Sequence, residues 1–375
     1  MAKAQISDAK VIEGEVEVVW SDGAARSRFP FLWLKDHCHS AAGLHPETKQ
    51  RQVDTFAIPS DIAPDRLAVE EGGTLLRIHW RNGDGASELP AGFLKEIATT
   101  LGRERAPDYR LWDRAHFGND LPSVPYDDVA DDARGGLRRW LETIERFGFG
   151  LVRGVPATAE ATQALAERIG YIRHTIFGGF WDFTANLAYK DTAYTPVAIG
   201  PHTDGTYSFD SPGYQMFHCL QFDGRGGEST LIDGFKAADI LRQNDPEAFA
   251  TLTEVKVPAQ YIGDGVHLRA EHPVIGLDAD GAYRQIAYNN YDRAPFLLPG
   301  GRMSDFYRAL GQFNRLVNDP ALEIEFRLEP GTVLLFDNWR TLHGRRAYQG
   351  YRRLCGAYLN KEDLESRLRI LRAAD

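Results

Sequence analysis

Residues 331–359 read GTVLLFDNWRTLHGRRAYQGYRRLCGAYL. Two runs, 331–337 and 353–359, show the period-2 alternation of strands, and glycines and polar residues punctuate the stretch between them. GYQMFHCLQF (213–222), STLIDGF (229–235) and EIEFRL (323–328) have the same strand character. Helical spacing marks 236–252 and 302–317. Strands that follow one another without a regular βαβ alternation predict a double-sheet β-sandwich rather than a parallel sheet.

Upstream, DARGGLRRWLETIERFG (132–148) places Leu137, Leu141, Ile144 and Phe147 on one helical face, with Gly148 as its stop. FGLVRGV (149–155) reads as a buried strand, and ATAEATQALAERIG (157–170) as a second helix. Residues 1–97 form a small β-rich domain, with strands in VIEGEVEVVW (11–20) and GGTLLRIHW (72–80). The charged and proline-containing stretch 98–125 reads as a linker, and 126–375 as the larger domain.

Among 375 residues, 43 basic and 53 acidic side chains give a net charge of −10. That balance argues against a broad phosphate-binding face, and hence against a nucleic-acid partner. No run approaches the roughly 18 apolar residues of a membrane span. The acidic N-terminus lacks the marks of a signal or transit peptide, and the three separated cysteines, Cys38, Cys219 and Cys355, suit a reducing compartment. A cytoplasmic protein without a membrane partner is expected.

The chemistry is carried by Pro201-His202-Thr203-Asp204. Residues i and i+2 of an extended segment point to the same side, so His202 and Asp204 can hold one ion between them. His343, after FDNWR, offers a third ligand. Two histidines and one carboxylate form the facial triad of non-haem Fe(II), which leaves coordination positions for an oxo acid and dioxygen. Arg352 follows nine residues later, past a turn expected at Gly350, at the start of a strand, where a planar guanidinium suits the bidentate grip of a dicarboxylic cosubstrate. A small residue at 204 would open a halide position; the retained carboxylate favours oxygen insertion.

GPHTDGTYSFDSPGYQMFHCLQF, GGESTLIDGF, YNNYDRAP and FDNWRTLHGRRAYQGYRRLCGAYL resemble the γ-butyrobetaine and trimethyllysine hydroxylase family of Fe(II)- and 2-oxoglutarate-dependent dioxygenases. The resemblance covers most of 126–372. FPFLWLKDHCHS and HPETKQRQVDT look like that family's small N-terminal domain. It implies a mainly β fold with flanking helices, a double-stranded β-helix (jelly roll), and commonly a homodimer. It implies His202, Asp204 and His343 as iron ligands, Arg352 on the distal carboxylate of 2-oxoglutarate, and Ser229 near that cosubstrate. Dioxygen is the oxidant, ascorbate the expected reductant, and succinate and carbon dioxide the co-products.

Relatives bind structural zinc through N-terminal cysteines and a downstream histidine. Here the cluster reads Cys38-His39-Ser40-Ala41-Ala42-Gly43, with Gly85 near the place of the histidine. Zinc is expected to be lost, since only Cys38, His39, His45 and His79 are left to hold it.

The family's substrates carry a trimethylammonium group, which has no proton to donate and is recognised by aromatic faces. Phe177, Trp181, Tyr194 and Tyr358 match the cage, with 177 and 181 on one face if that segment is helical. Asp191 suits an α-ammonium, while Asn289, Asn290 and Arg293 offer donors to a carboxylate or phosphonate. The resulting expectation is hydroxylation of 2-(trimethylammonio)ethylphosphonate or γ-butyrobetaine. Trimethyllysine 3-hydroxylation is the alternative, and a non-catalytic jelly roll binding a betaine or metal is the alternative of another class. A zinc hydrolase is the poorest fit, because no general base is evident near His202.

Overall fold

A computed structural model describes residues 4–81, 85–102, 107–118, 120–184, 196–263 and 265–373. No described helix is long and apolar enough to cross a membrane. The chain divides into two compact units, Met1–Ala106 and Pro107–Asp375.

In the first unit, β1 (Ile6–Ile12), β2 (Glu15–Trp20) and β3 (Ser27–Pro30) form one antiparallel sheet. A second contains β4 (Pro64–Glu70), β5 (Leu75–Trp80) and β6 (Ala86–Pro90). VIEGEVEVVW is thus a hairpin, turned at Glu13-Gly14, rather than one strand. β5 alternates as expected, burying Leu76, Ile78 and Trp80. These pack with Val16, Val18 and Trp20, with Leu34 of α1 (Phe31–Asp36) and with Leu94 of α2 (Ala91–Thr100).

The residues considered for zinc each have other partners. Cys38 Sγ lies 3.0 Å from Ser40 Oγ, and His39 packs on the Phe93 ring at 4.3 Å. His45 Nδ1 accepts the amides of Glu47 and Thr48, and His79 Nε2 sits 3.0 Å from an Arg66 nitrogen.

The second unit contains β7 (Ser123–Pro125), β8 (Phe149–Arg153), β9 (Ile172–Arg173), β10 (Trp181–Thr184), β11 (Ile199–His202), β12 (Tyr214–Gly226) and β13 (Ser229–Asp233). They are followed by β14 (Lys256–Gly263), β15 (Val266–Pro273), β16 (Ile275–Leu277), β17 (Tyr283–Ile286), β18 (Glu323–Phe326), β19 (Thr332–Asp337), β20 (Thr341–Arg345) and β21 (Tyr348–Leu359). Its helices are α3 (Arg114–Phe117), α4 (Tyr126–Ala130), α5 (Gly136–Phe147), α6 (Ala159–Glu167), α7 (Gly234–Asn244), α8 (Pro246–Glu254), α9 (Arg302–Val317) and α10 (Lys361–Ala373). The larger sheet runs β10-β21-β12-β19-β8-β7, with β9 added to β21; the smaller runs β11-β20-β13-β18. Two short hairpins, β14-β15 and β16-β17, complete the strands.

The two sheets face each other as a double-stranded β-helix. Phe149, Leu151, Leu334, Phe336 and Leu354 of the larger meet Leu231 and Ile324 of the smaller. The outer face of the larger sheet (Val152, Met216, Val333, Leu335) is covered by Trp140, Leu141 and Ile144 of α5, Leu165 of α6 and Leu364 of α10. The outer face of the smaller (Ile232, Leu342) is covered by α7, α8 and α9 through Phe235, Leu252, Phe306 and Phe313. Hence β19 is buried at every position and β21 at every position from Leu354 to Leu359. The period-2 pattern read over 331–337 and 353–359 is corrected accordingly. Side chains do alternate between faces, but both faces are covered, so both are apolar.

Three other expectations are corrected. Residues 107–125 are not a linker within this unit: Trp112 is fully buried, its indole N–H donates to Phe147 O at 2.6 Å, and β7 pairs in parallel with β8. The aromatic residues of that stretch outweigh its surface charges. The helix expected over 236–252 breaks at Asp245, whose side chain caps the Pro246 helix by accepting Ala248 N–H. Gly350 is inside β21 rather than a turn; at φ +98° it opposes Gly224, and a Cβ there would meet Asp223 O at 2.2 Å.

One buried ion pair ties these layers together. Arg340 donates to both carboxylate oxygens of Asp233, at 3.1 and 2.7 Å, and to the carbonyls of Arg146 (2.9 Å) and Arg110 (2.6 Å). Asp233 also accepts the amides of Trp112 and Phe235. Both side chains are fully excluded from solvent. Asp233→Ala strands a buried guanidinium and should lower stability by about 3–5 kcal/mol in urea unfolding. The double variant Asp233→Leu/Arg340→Met removes the stranded charge but leaves the backbone groups of Trp112, Phe235, Arg146 and Arg110 without these partners, so it should recover only part of that loss.

Candidate metal centre and its cavity

The triad is assembled by register. His202 ends β11 directly opposite His343 on β20, and their rings lie 4.2 Å apart between centroids. On β20 the outward Leu342 joins the helical layer, so His343 and Arg345 face inward. Asp204 follows His202 by two residues and brings Oδ1 to 3.2 Å from His202 Nε2 and Oδ2 to 3.7 Å from His343 Nε2. One donor atom from each of the three falls within 4.8 Å of the others, the sole such group of three or more among the described residues.

The donor chemistry fits a divalent ion. His202 Nδ1 lies 2.9 Å from Gly200 O; donation there leaves Nε2 with a lone pair facing the triad. Burial first, and then the positive charge of His202, depress the His343 pKa to about 3, so this imidazole is neutral as a ligand must be. Burial raises the Asp204 pKa, but the charges of His343 and His202 and the hydrogen bonds from His202 and Tyr358 outweigh it and hold the carboxyl far below its usual range. His202 moves upward: burial opposes its charge, and Asp204 overcomes that opposition. The result is an anionic carboxylate between two imidazoles, a set for a borderline divalent metal.

The triad opens onto a cavity of about 200 Å³. Of the anticipated residues, Ser229, Arg352, Phe177, Trp181, Tyr358 and Asn289 line it. Ser229 starts β13 opposite Arg345. Arg352 lies on β21 opposite Phe222, nearly buried, with its guanidinium 5.7 Å from the Tyr348 ring centroid. Trp181 stands on the edge strand β10 opposite Gly356, where a Cβ would meet its ring at 2.5 Å. Residues 177 and 181 therefore do not share a helix face; a turn at 175–178 and a strand present them. The Trp181 and Tyr358 rings meet edge-on at 6.0 Å, and the Tyr358 hydroxyl donates to Asp204 Oδ2 at 2.7 Å.

Asn290 and Arg293 do not reach this cavity. They line a separate small one, with Arg293 over the Tyr307 ring at 5.4 Å. Asn289 holds the metal loop, donating to Thr203 O at 3.3 Å and to Asp292 Oδ2 at 2.9 Å. Asp191 and Tyr194 lie outside the described residues.

Sequence reasoning missed Arg345, Tyr207, Tyr261 and Asp292, all of which line the cavity. Arg345 had a signal, since it stands two residues after His343 on the same strand face. Asp292 lay within the quoted YNNYDRAP. The Tyr207 and Tyr261 rings lie 5.5 Å apart in a tilted pair, and Tyr261 meets Phe177 edge-on at 6.1 Å; nothing local marks a tyrosine on the β14 hairpin for this site.

Comparison with known proteins decides the family. The model for the taurine catabolism dioxygenase TauD, TfdA family matches residues 109–358, and that for the γ-butyrobetaine hydroxylase-like N-terminal domain matches 9–89. The chain belongs to the TauD/TfdA dioxygenase family. Within it, the chain falls in the γ-butyrobetaine and trimethyllysine hydroxylase group. It is 37% identical to trimethyllysine dioxygenase of Meyerozyma guilliermondii, over 95% of this chain and 93% of that one. It is 36% identical to mitochondrial trimethyllysine dioxygenase of Homo sapiens, over 92% and 83%. Dioxygenase str8 of Strobilurus tenacellus is 35% identical, over 92% and 85%. This TauD-family enzyme is a dioxygenase dependent on Fe(II) and 2-oxoglutarate.

Arg352 has no acidic partner among the described residues, and burial, then the charge of Arg345, lower its pKa to about 10. A nearly buried guanidinium at Arg352 calls for an anion. Chelator-treated TauD-family enzyme should therefore melt at higher temperature with 2-oxoglutarate, the shift growing with the logarithm of its concentration. Arg352→Gln should abolish that shift, as scanning fluorimetry can show.

Proposed function

We propose that this enzyme hydroxylates trimethyllysine, and that His202, Asp204 and His343 hold its iron. The observation that carries this reading is the cavity itself: aromatic faces and a carboxylate, Asp292, line the space into which the triad opens. The names of the relatives favour this amino acid over γ-butyrobetaine or the phosphonate expected first.

When bound, iron(II) supplies the coupling of 2-oxoglutarate decarboxylation by dioxygen to oxygen insertion at a C–H bond. The chain supplies placement. Arg352 takes the distal carboxylate of the cosubstrate, with Ser229 beside it. Phe177, Trp181 and Tyr358, joined by Tyr207 and Tyr261, face the trimethylammonium group. Such a desolvated cation over aromatic rings is stabilised by about 2 kcal/mol. Asp292 meets the α-ammonium that γ-butyrobetaine lacks, and Asp191 and Tyr194 keep their sequence-based roles as a second acid and a cage member.

Succinate release with Fe(II), ascorbate and 2-oxoglutarate should be strong with trimethyllysine and weak with γ-butyrobetaine and 2-(trimethylammonio)ethylphosphonate. The reverse ranking would restore the simple betaine reading, and silence with all three would place the substrate outside these trimethylammonium compounds. In the same assay Asp292→Asn should raise KM for trimethyllysine about tenfold or more, the cost of a charge-assisted hydrogen bond, and leave KM for γ-butyrobetaine within about twofold.

A further inference from the structure

Asp204 is placed by a residue with no role in the reading above. Asn338 sits in the turn between β19 and β20, 1% exposed. Its Oδ1 accepts Asp204 N–H at 2.8 Å, and its Nδ2 donates to Asp204 O at 3.0 Å and to Pro212 O at 2.9 Å. Its own backbone N–H donates to Gly213 O at 2.9 Å. A single side-chain amide thus grips both backbone polar groups of Asp204 and pins the 203–213 loop shut at its far end.

We propose that Asn338 is a positioning residue that presets the Asp204 carboxylate for the metal, and so sets metal affinity. The inference rests on the triad reading. The physical reason lies in how the three ligands are held. His202 and His343 are cross-strand partners, so sheet register fixes them. Asp204 lies beyond the end of β11, where no ladder constrains it. Thr203, before it, is tied to Tyr288 by reciprocal bonds of 2.8 and 3.0 Å. At Asp204 itself the backbone bonds go to Asn338, and Tyr358 with Gln215 behind it fixes the carboxylate.

Only an amide can serve here. Two carbonyls need donors and one N–H needs an acceptor, and Asn supplies both kinds from one short side chain. Asp at 338 keeps the size but sets a carboxylate against two carbonyl oxygens. Ala leaves one N–H and two carbonyls without their partners in a buried site.

The test uses Co(II), whose visible absorption reports ligand geometry, titrated into the chelator-treated full chain. Asn338→Asp and Asn338→Ser should bind Co(II) about 10–100-fold more weakly than the parent, the usual cost of losing a group that orients a metal ligand, and with an altered spectrum. Val333→Ala, a cavity variant on the opposite face of β19, controls for lost stability and should melt earlier with unchanged Co(II) affinity. Loss of Co(II) affinity in Val333→Ala as well would assign the effect to general destabilisation and overturn the proposal. Asn338 variants that fold and bind Co(II) within about twofold of the parent would overturn it too. Failure of both Asn338 variants to fold would make the residue a fold determinant instead. If the parent itself bound no Co(II), the triad reading would fall, a different result from all of these.

Discussion

The pairing of β11 with β20 is the constraint on which the rest of the site depends. Register sets His202 against His343, and strand alternation turns His343 and Arg345 inward while Leu342 joins the apolar layer outside. A slip of one residue would reverse every one of these directions. The smaller sheet can hold this register because its outer face is covered by α7, α8 and α9 through a continuous apolar layer.

Polar interactions then refine what packing has placed. The Asp233–Arg340 pair closes the rear of the smaller sheet against the 107–112 segment and the end of α5. Asn338, two residues earlier in the same turn, closes the front. The FDNWR stretch thus serves two unlike demands from positions two residues apart. One is a fully buried charge that only a complete set of partners makes tolerable. The other is an amide whose donors and acceptor match three backbone groups.

The cavity joins opposite electrostatic requirements within a short distance. At one end Arg345 and Arg352 concentrate positive charge beside the Tyr348 ring. At the other, Asp204 and Asp292 sit among aromatic rings. A dicarboxylate and a cation would each find a complementary set of side chains in this cavity.

The sequence by itself marked the candidate triad His202, Asp204 and His343, the arginine Arg352 of the same cavity, and the double-sheet class. The His202–Asp204 spacing and the strand-like composition of the segments are local, and His343 and Arg352 are a histidine and an arginine nine residues apart in one stretch. Phe177, Trp181 and Tyr358 were legible through resemblance, yet their presentation was not, because a turn and an edge strand took the place of a helix. Tertiary structure decided where Asn290 and Arg293 went, away from the metal cavity, and it recruited Tyr261 from a distant hairpin. It also turned 107–125 from an apparent linker into part of the sheet and core. The reason is common to all of these: which faces meet depends on the packing of elements far apart in the chain, and no local pattern contains that information.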